Sequence, residues 1–281
     1  MGKFTGVLLA SDFDNTLIYT EEALRTGGPV PPLPERNREA LHYFIREGGS
    51  FAIATGRALA AFARYADMVP MNAPGVVCNG AALYDFQKKE YLDTLVLDQV
   101  AARRGQELLD RFPDLAVEAY HIGNVIHAVR PNDAVRRHER LTQVSVVEAP
   151  SLPEVPPPLG KLLWEADPET LRAAADYLRR QPWAGEYELI FSGQTLLEMT
   201  AKGANKGGMI RRLAKRLEIS MRHVYCVGDE ANDIPMLTAA ARGFAPANCV
   251  EAVRACGASL VADAREGALA DVVSVLDDLY S

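Results

Sequence analysis

The sequence predicts an α/β fold: a doubly wound, mostly parallel sheet, split by an inserted α+β domain. Three observations carry this reading. Apolar runs of strand length alternate with helical runs over residues 6–79. The same alternation returns after residue 205. Between them, from about Ala82 to Thr200, the texture changes to paired strands with two long helical runs.

The elements follow in order. The run 6-GVLLA-10 suits a buried parallel strand. The segment 29-PVPPLP-34 reads as a loop, because proline has no N–H to give to a ladder or helix. A helix is expected from about Glu35 to Glu47, ended by Gly48 and Gly49. Next come 51-FAIAT-55 as strand, 58-ALAAFARYADM-68 as helix and 75-GVVCN-79 as strand. That βαβαβ order implies a parallel sheet wrapped by helices. In the second half, 205-NKGGMIRRLAKRLE-218 reads as helix, 223-HVYCVG-228 as strand and 233-DIPMLTAAA-241 as helix. Short strands fit 243-GFAPA-247 and 259-SLVAD-263, before a closing helix from about Gly267 to Leu279.

Inside the insert, 115-LAVEAYH-121 is expected to pair with 124-NVIHAVR-130, and 187-YELIFS-192 with 195-TLLEMT-200. Helices fit 99-QVAARRGQELLDRF-112 and 168-PETLRAAADYLRRQ-181, and 150-PSLPEVPPPLG-160 is a loop. Hairpins with helices on one face make an α+β unit. The expected division is residues 1–82 and 201–281 for the core and 83–200 for the insert. The two crossings, near residues 79–85 and 200–205, are expected to act as hinges that close the insert over the core.

Composition narrows the setting. A net charge of -7 suggests no broad nucleic-acid-binding face. Cys78, Cys226, Cys249 and Cys256 show no metal-like spacing, which fits free thiols in a reducing compartment. The first apolar run is too short for a signal peptide or a membrane span. Met1-Gly2 opens like a myristoylation signal, but Gly6 stands where Ser or Thr is needed. The expectation is a cytoplasmic monomer or small homo-oligomer with no membrane or nucleic-acid partner.

Four motifs fall at strand ends or helix starts: 12-DFD-14, 54-ATGR-57, Lys206 in 203-GANKG-207, and 228-GDEAND-233. Ligands of such sheets bind at the carboxyl ends of the strands. Each motif alone has a bland reading as a turn, a cap or a solvated charge. Together they place several carboxylates at one sheet edge, where each pair repels by about 4 kcal/mol at ~4 Å and an effective dielectric of 20. A hard divalent cation removes that difficulty, and Mg²⁺ favours a few carboxylate oxygens plus water and phosphate. Lys206 adds positive charge and Thr55 a neutral hydroxyl. Backbone N–H groups after the first strand can cradle an anion. The set describes a site for a phosphoryl group.

In this order the motifs resemble those of the haloacid dehalogenase-like phosphohydrolases. The insert resembles, in position and size, the C2 cap of their Cof-type and sugar-phosphatase branch. The resemblance implies that Asp12 is the nucleophile that becomes an aspartyl phosphate, and that Asp14 protonates the leaving alcohol and then activates water. It implies Mg²⁺ held by Asp12, the backbone carbonyl of Asp14, and Asp229. Thr55, Gly56, Lys206 and Asn232 would hold the phosphoryl group, Lys206 would keep Asp12 ionised, and Asn232 and Asp233 would complete or orient the metal shell. Many relatives carry Gly where this chain has Asn15, and Asn tolerates the left-handed conformation. The form SDFDNT resembles the first motif of sucrose-phosphatase-like members, which points to a phosphorylated sugar.

The implied activity is hydrolysis of a small phosphomonoester. A phosphomutase keeps both acids and is the alternative within the family. A non-catalytic phosphate-binding module is the alternative outside it, opposed by retention of Asp12, Asp14, Thr55, Lys206 and Asp229 together. A phosphorelay receiver is much shorter and has no insert. Dehalogenase chemistry leaves Asp14 without a task. In the insert, Tyr120, His121, His127, Arg130, Lys161, Trp164 and Glu198 are candidates to face the substrate.

Overall fold

The computed structural model describes residues 2–123 and 125–281. The first core segment runs β1 (Leu8–Ser11), α1 (Glu21–Thr26), α2 (Glu35–Arg46), β2 (Ser50–Ile53), α3 (Leu59–Phe62) and β3 (Gly75–Val77). A hairpin follows, β4 (Ala82–Asp85) and β5 (Glu90–Thr94). The insert then runs α4 (Ala101–Arg111), β6 (Ala116–His121), β7 (Ile126–Val129), α5 (Asp133–Thr142), β8 (Val147–Ala149), β9 (Leu159–Glu165), α6 (Pro168–Arg179), β10 (Tyr187–Gly193) and β11 (Leu196–Ala201). The chain closes with α7 (Lys206–Arg216), β12 (Val224–Val227), α8 (Ile234–Ala239), β13 (Arg242–Pro246), α9 (Glu251–Ala255), β14 (Ser259–Val261) and α10 (Ala268–Leu279).

The core sheet is parallel, in the order β14-β13-β12-β1-β2. Alternate residues of a strand face opposite sides. Leu9, Phe51, Tyr225 and Phe244 pack with Phe44, Val272 and Leu276 of α2 and α10. Leu8, Ala10, Ala52 and Cys226 pack with Met209, Leu213 and Met236 of α7 and α8. Each fully buried large apolar side chain is worth roughly 1.5–3 kcal/mol, so both faces hold the sheet. The order sets β1 beside β12, with Ser11 opposite Val227. The residues that follow these two strands therefore emerge together.

The sequence reading departs from the structure at several places. Only Leu59–Phe62 of the helix expected over 58–68 is α-helical; Ala63–Met68 is 3₁₀. The strand expected over 75–79 ends at Val77, because Cys78 and Asn79 turn into the left-handed region. β3 touches the parallel sheet through one bridge, Ala54 to Val76, and otherwise pairs antiparallel with β4. The hairpin assigned to the insert from residue 83 is thus tied to the core: Leu83, Leu92 and Leu95 pack in the cluster of Met209 and Leu213. The first crossing falls after β5 instead of near 79–85, and the second lies after β11.

The insert sheet has the order β10-β11-β9-β6-β7-β8. The expected pairs form as antiparallel ladders, β6 with β7 and β10 with β11. Asn124, the first residue of the run 124–130, lies outside the described residues, as does Met1. α4 and α6 cover one face through Leu108, Leu109, Leu171 and Leu178. The sequence reading missed β9, which stands between β6 and β11, and the edge strand β8. It also missed α5, whose Val135 packs on Ala116 and Ala128 across the opposite face. Helices therefore lie on both faces.

Candidate active site

The carboxyl end of β1 builds the first part of the site. Asp12 is fixed by its N–H, which donates to the Val227 carbonyl of β12 at 2.9 Å. Phe13 turns inward against the rings of Phe62 and Tyr65, as expected for the residue between two acids on one face. Asn15 adopts φ 53°, the left-handed turn that asparagine tolerates. Its side chain accepts from the N–H groups of Thr20 and Glu21 at 3.0 and 2.9 Å. That folds the chain back, and the Thr20 hydroxyl donates to Asp14 at 2.7 Å.

The end of β12 builds the second part. Asp233 Oδ2 accepts from the N–H groups of Asp229 and Glu230 at 2.9 and 3.0 Å. Gly228 makes room for this, since a Cβ there would lie 2.4 Å from the Asp233 side chain. Lys206 opens α7 after Asn205, whose side chain caps the helix by accepting from the Gly208 N–H. Gly207 lets the helix press on the Pro235 carbonyl, where a Cβ would stand 2.1 Å away. Lys206 is 1% exposed and donates to Asp12 Oδ1 and Asp233 Oδ1, both at 2.6 Å.

Three buried carboxylates, Asp12, Asp229 and Asp233, place oxygens within 4.8 Å of one another. They face one ammonium. Burial pushes Asp12 up, Asp233 and Asp14 add to it, and Lys206 opposes them, leaving its pKa at about 7. Asp229 is held well above the ordinary carboxylate range by burial, then by Asp12 and Asp233, although the Thr16 hydroxyl donates to it at 2.5 Å. Burial would lower Lys206, but Asp12 and Asp233 outweigh it and keep the ammonium charged. The donor set is all oxygen, and the Asn232 side-chain oxygen beside it is buried without a partner. Hard oxygen donors with uncompensated negative charge fit a small divalent cation. The Asp14 carboxylate stands apart from this cluster. It is held by Arg57, through Nε at 2.7 Å and Nη2 at 2.6 Å.

Asp12, Asp14, Gly56, Asp229 and Asn232 line a cavity of about 370 Å³ between core and insert. Thr55 and Lys206 are buried and do not line it. The Thr55 hydroxyl accepts from the Arg57 N–H at 3.1 Å, which shapes the ATGR turn. Of the core residues singled out from the sequence, Asp12, Asp14, Gly56, Asp229 and Asn232 line the cavity, Lys206 and Asp233 join Asp12 behind it, and Thr55 is linked to it only through Arg57. Of the insert candidates, Tyr120, Lys161 and Glu198 line the cavity. Trp164 does not, because it points to the helix side and packs with Leu162 and Leu197. Arg130 donates to the Leu109 carbonyl at 2.7 Å, away from the cavity. His121 and His127 pair with each other at 3.0 Å and are not among the lining residues.

Three residues escaped the sequence reading. Arg57 stands in the quoted ATGR and needed only to be asked what its charge faces. Asn79 donates nothing from its buried side-chain nitrogen, while its oxygen accepts from Asn232 at 2.9 Å. Its signal is an Asn that follows a strand, a position that favours left-handed backbone. His138 lines the cavity from α5, an element the sequence reading did not find.

Comparison with known proteins agrees with this geometry. Pyridoxal phosphate phosphatase YbhA of Escherichia coli is 24% identical over 275 residues, spanning 95% of this chain and 97% of that protein. The 5-amino-6-(5-phospho-D-ribitylamino)uracil phosphatase YcsE of Bacillus subtilis is 22% identical over 251 residues, 88% of this chain and 86% of that one. The solved structure of the subclass IIB sugar phosphatase BT4131 superposes with a TM-score of 0.80 at 21% identity, covering 96% of this chain and 99% of its own. The family model described as haloacid dehalogenase-like hydrolase matches residues 9–273, which takes in both halves of the core and the whole insert. On that match over nearly its whole length, the chain belongs to the haloacid dehalogenase-like hydrolases.

Proposed function

We propose that this protein hydrolyses a small phosphomonoester, a sugar phosphate being the leading class, through an aspartyl phosphate on Asp12. The coarser statement rests on the comparisons: the relatives are named phosphatases, and this chain is a phosphatase of the same family. The observation that carries the finer reading is the placement of Asp12 and Asp14 on one cavity with different partners. Asp12 is held by Lys206, and Asp14 by Arg57 and Thr20. Two carboxylates in different surroundings can take different roles.

In the first step an Asp12 oxygen attacks phosphorus, the ester P–O bond breaks, and the alkoxide takes a proton that Asp14 must first gain as substrate binds, because Arg57 holds the free carboxyl ionised. In the second, Asp14 removes a proton from water, whose oxygen attacks phosphorus and releases phosphate and the Asp12 carboxylate. Splitting one hydrolysis in this way replaces a hard step by two easier ones. Lys206 orients Asp12 and favours its ionised form. Thr55 and Gly56 shape the turn that receives phosphoryl oxygens, and the unpartnered Asn79 nitrogen can donate there. Asp12, Asp229 and the Asp14 backbone carbonyl would hold Mg²⁺, with Asn232 and Asp233 orienting them. When bound, the ion supplies positive charge to the acidic cluster and to the transferring phosphoryl group. Four free cysteines fit a cytoplasmic setting.

The test is a single turnover of a sugar phosphate in ¹⁸O-water with Mg²⁺. Label in inorganic phosphate, with a phosphorylated Asp12 peptide trapped by acid quench, is the expected result. Label in the Asp12 carboxylate would mean attack at carbon, as in dehalogenase chemistry. Transfer to a second sugar hydroxyl instead of water would identify a mutase.

A further inference from the structure

The roof of the cavity carries a buried ion pair. Lys161 of β9 and Glu198 of β11 are 3% and 2% exposed, and the ammonium lies 3.0 Å from Glu198 Oε2. The Ser192 hydroxyl donates to Glu198 Oε1 at 2.6 Å. Lys161 also donates to the carbonyl of Gly56 at 3.2 Å, crossing from the insert to the core turn beside Asp14. Its ammonium lies 4.5 Å over the Tyr120 ring. A buried ion pair is often no better for stability than an apolar pair of the same volume. A stability role therefore does not account for a pair set on a cavity wall.

The donor and acceptor inventory says what the pair can read. An ammonium has three protons, and two are used, on Gly56 and Glu198. A carboxylate has about four acceptor positions, of which Ser192 and Lys161 use two. That leaves one donor, beside the Tyr120 ring on the cavity wall, and free acceptor positions on Glu198, with no net charge. A hydroxyl both donates and accepts, so it satisfies both. Around the pair the walls are aliphatic: Ile126, Leu141, Val144, Leu163 and Leu196. Glu118 and Glu165 stand near His138 on the same side of the sheet, so a second anion gains no net attraction from this roof.

We propose that the Lys161–Glu198 pair is the specificity element for the leaving alcohol, and that it selects a neutral, hydroxyl-bearing one. The proposal rests on the phosphatase reading above, and its test separates the two. Measure kcat/KM for a hexose 6-phosphate, a hexose bisphosphate and p-nitrophenyl phosphate. Use the wild type, Glu198→Gln, and the double variant Lys161→Met/Glu198→Leu, which removes both charges together and leaves neither buried alone. The expected result is a hexose 6-phosphate to p-nitrophenyl phosphate ratio lowered roughly 10- to 100-fold in both variants, the worth of a hydrogen bond to a charged group. The wild type is expected to prefer the monophosphate to the bisphosphate. An unchanged ratio, or a wild-type preference for the bisphosphate, overturns this proposal and leaves the phosphatase reading standing. A wild type inert toward all three esters overturns both.

Discussion

Arg57 holds Asp14 at two points, with Nε donating to one carboxylate oxygen at 2.7 Å and Nη2 to the other at 2.6 Å. The guanidinium is itself fixed, 5.4 Å over the Phe13 ring and 5.1 Å over the Tyr65 ring. Burial pushes Asp14 up, but the paired guanidinium and the Thr20 hydroxyl outweigh it and hold the carboxyl below its ordinary value. Arg57 thus acts on the site by orienting Asp14.

That grip gives the first prediction. Arg57→Lys keeps the charge but loses the planar fork, which is what aims both oxygens. Misplacing a reacting group by about 1 Å costs roughly 10²-fold. The variant should lose about that much kcat on an alkyl phosphate, with a much smaller change in KM. A loss confined to KM would make Arg57 a substrate-binding residue instead.

The second prediction concerns Asp12. Asp12→Asn removes turnover, because an amide does not attack phosphorus. It also removes one of three crowded carboxylates. The folded pKa of Asp12, about 7, lies above its ordinary 3.8, so its contribution to stability is full below about 3.8 and is lost as pH rises through 7. In chelator at pH 8, Asp12→Asn should therefore melt above the wild type, and the gap should close by pH 4. Adding Mg²⁺ should raise the wild-type melting temperature more than the variant's. Retained turnover by a folded Asp12→Asn protein would exclude Asp12 as the nucleophile.

The third lies in the insert. His138 Nδ1 is 2.9 Å from Glu118 and 3.3 Å from Glu165, both buried. Burial pulls His138 down, but its hydrogen bond to Glu118 and the Glu165 carboxylate beside it outweigh that and hold its pKa at about 10. A raised pKa stabilises fully below the ordinary 6.5 and fades as pH rises to 10, with a slope of at most ~1.4 kcal/mol per pH unit. His138→Leu should cost about 3–5 kcal/mol near pH 6, because it leaves two buried carboxylates without their cation. Urea unfolding at pH 6 and pH 9 measures the difference. Equal penalties at both values would show that His138 is not charged in the folded protein.

What the sequence made legible, and what it hid, follows from where the information lies. Asp12, Thr55, Lys206 and Asp229 sit at strand ends or a helix start, and strand order brings such ends together. β9 was hidden because Lys161 and Glu165 look like solvated charges, yet both are buried facing the cavity or His138. The proline-rich run before it drew the loop reading onward. α5 was hidden because 133-DAVRRHERLT-142 is mostly charged, with Val135 as its one buried residue. Its charges reach partners on other elements, which no periodicity records. The hairpin of β4 and β5 was placed in the insert because antiparallel texture begins there. Its apolar side chains instead pack on α7, a long-range choice.

The last prediction separates the two acids. A general acid matters most when the leaving group is basic. A sugar alkoxide is a poor leaving group and needs its oxygen protonated, whereas p-nitrophenolate leaves without help. Asp14→Asn should slow formation of the aspartyl phosphate by about 10²–10⁴-fold for a hexose phosphate, the usual worth of acid–base assistance, and far less for p-nitrophenyl phosphate. Hydrolysis of the phosphoenzyme should slow for both, because the same residue must take the proton from water. With the aryl ester the phosphoenzyme then accumulates, giving a burst of nitrophenol before slow turnover. The amide also keeps one oxygen for Arg57 and Thr20, so the fold and the turn at Asn15 should survive. Rapid quench measures the first step directly. Equal slowing with both esters would mean that Asp14 serves the geometry of the site and not the leaving group.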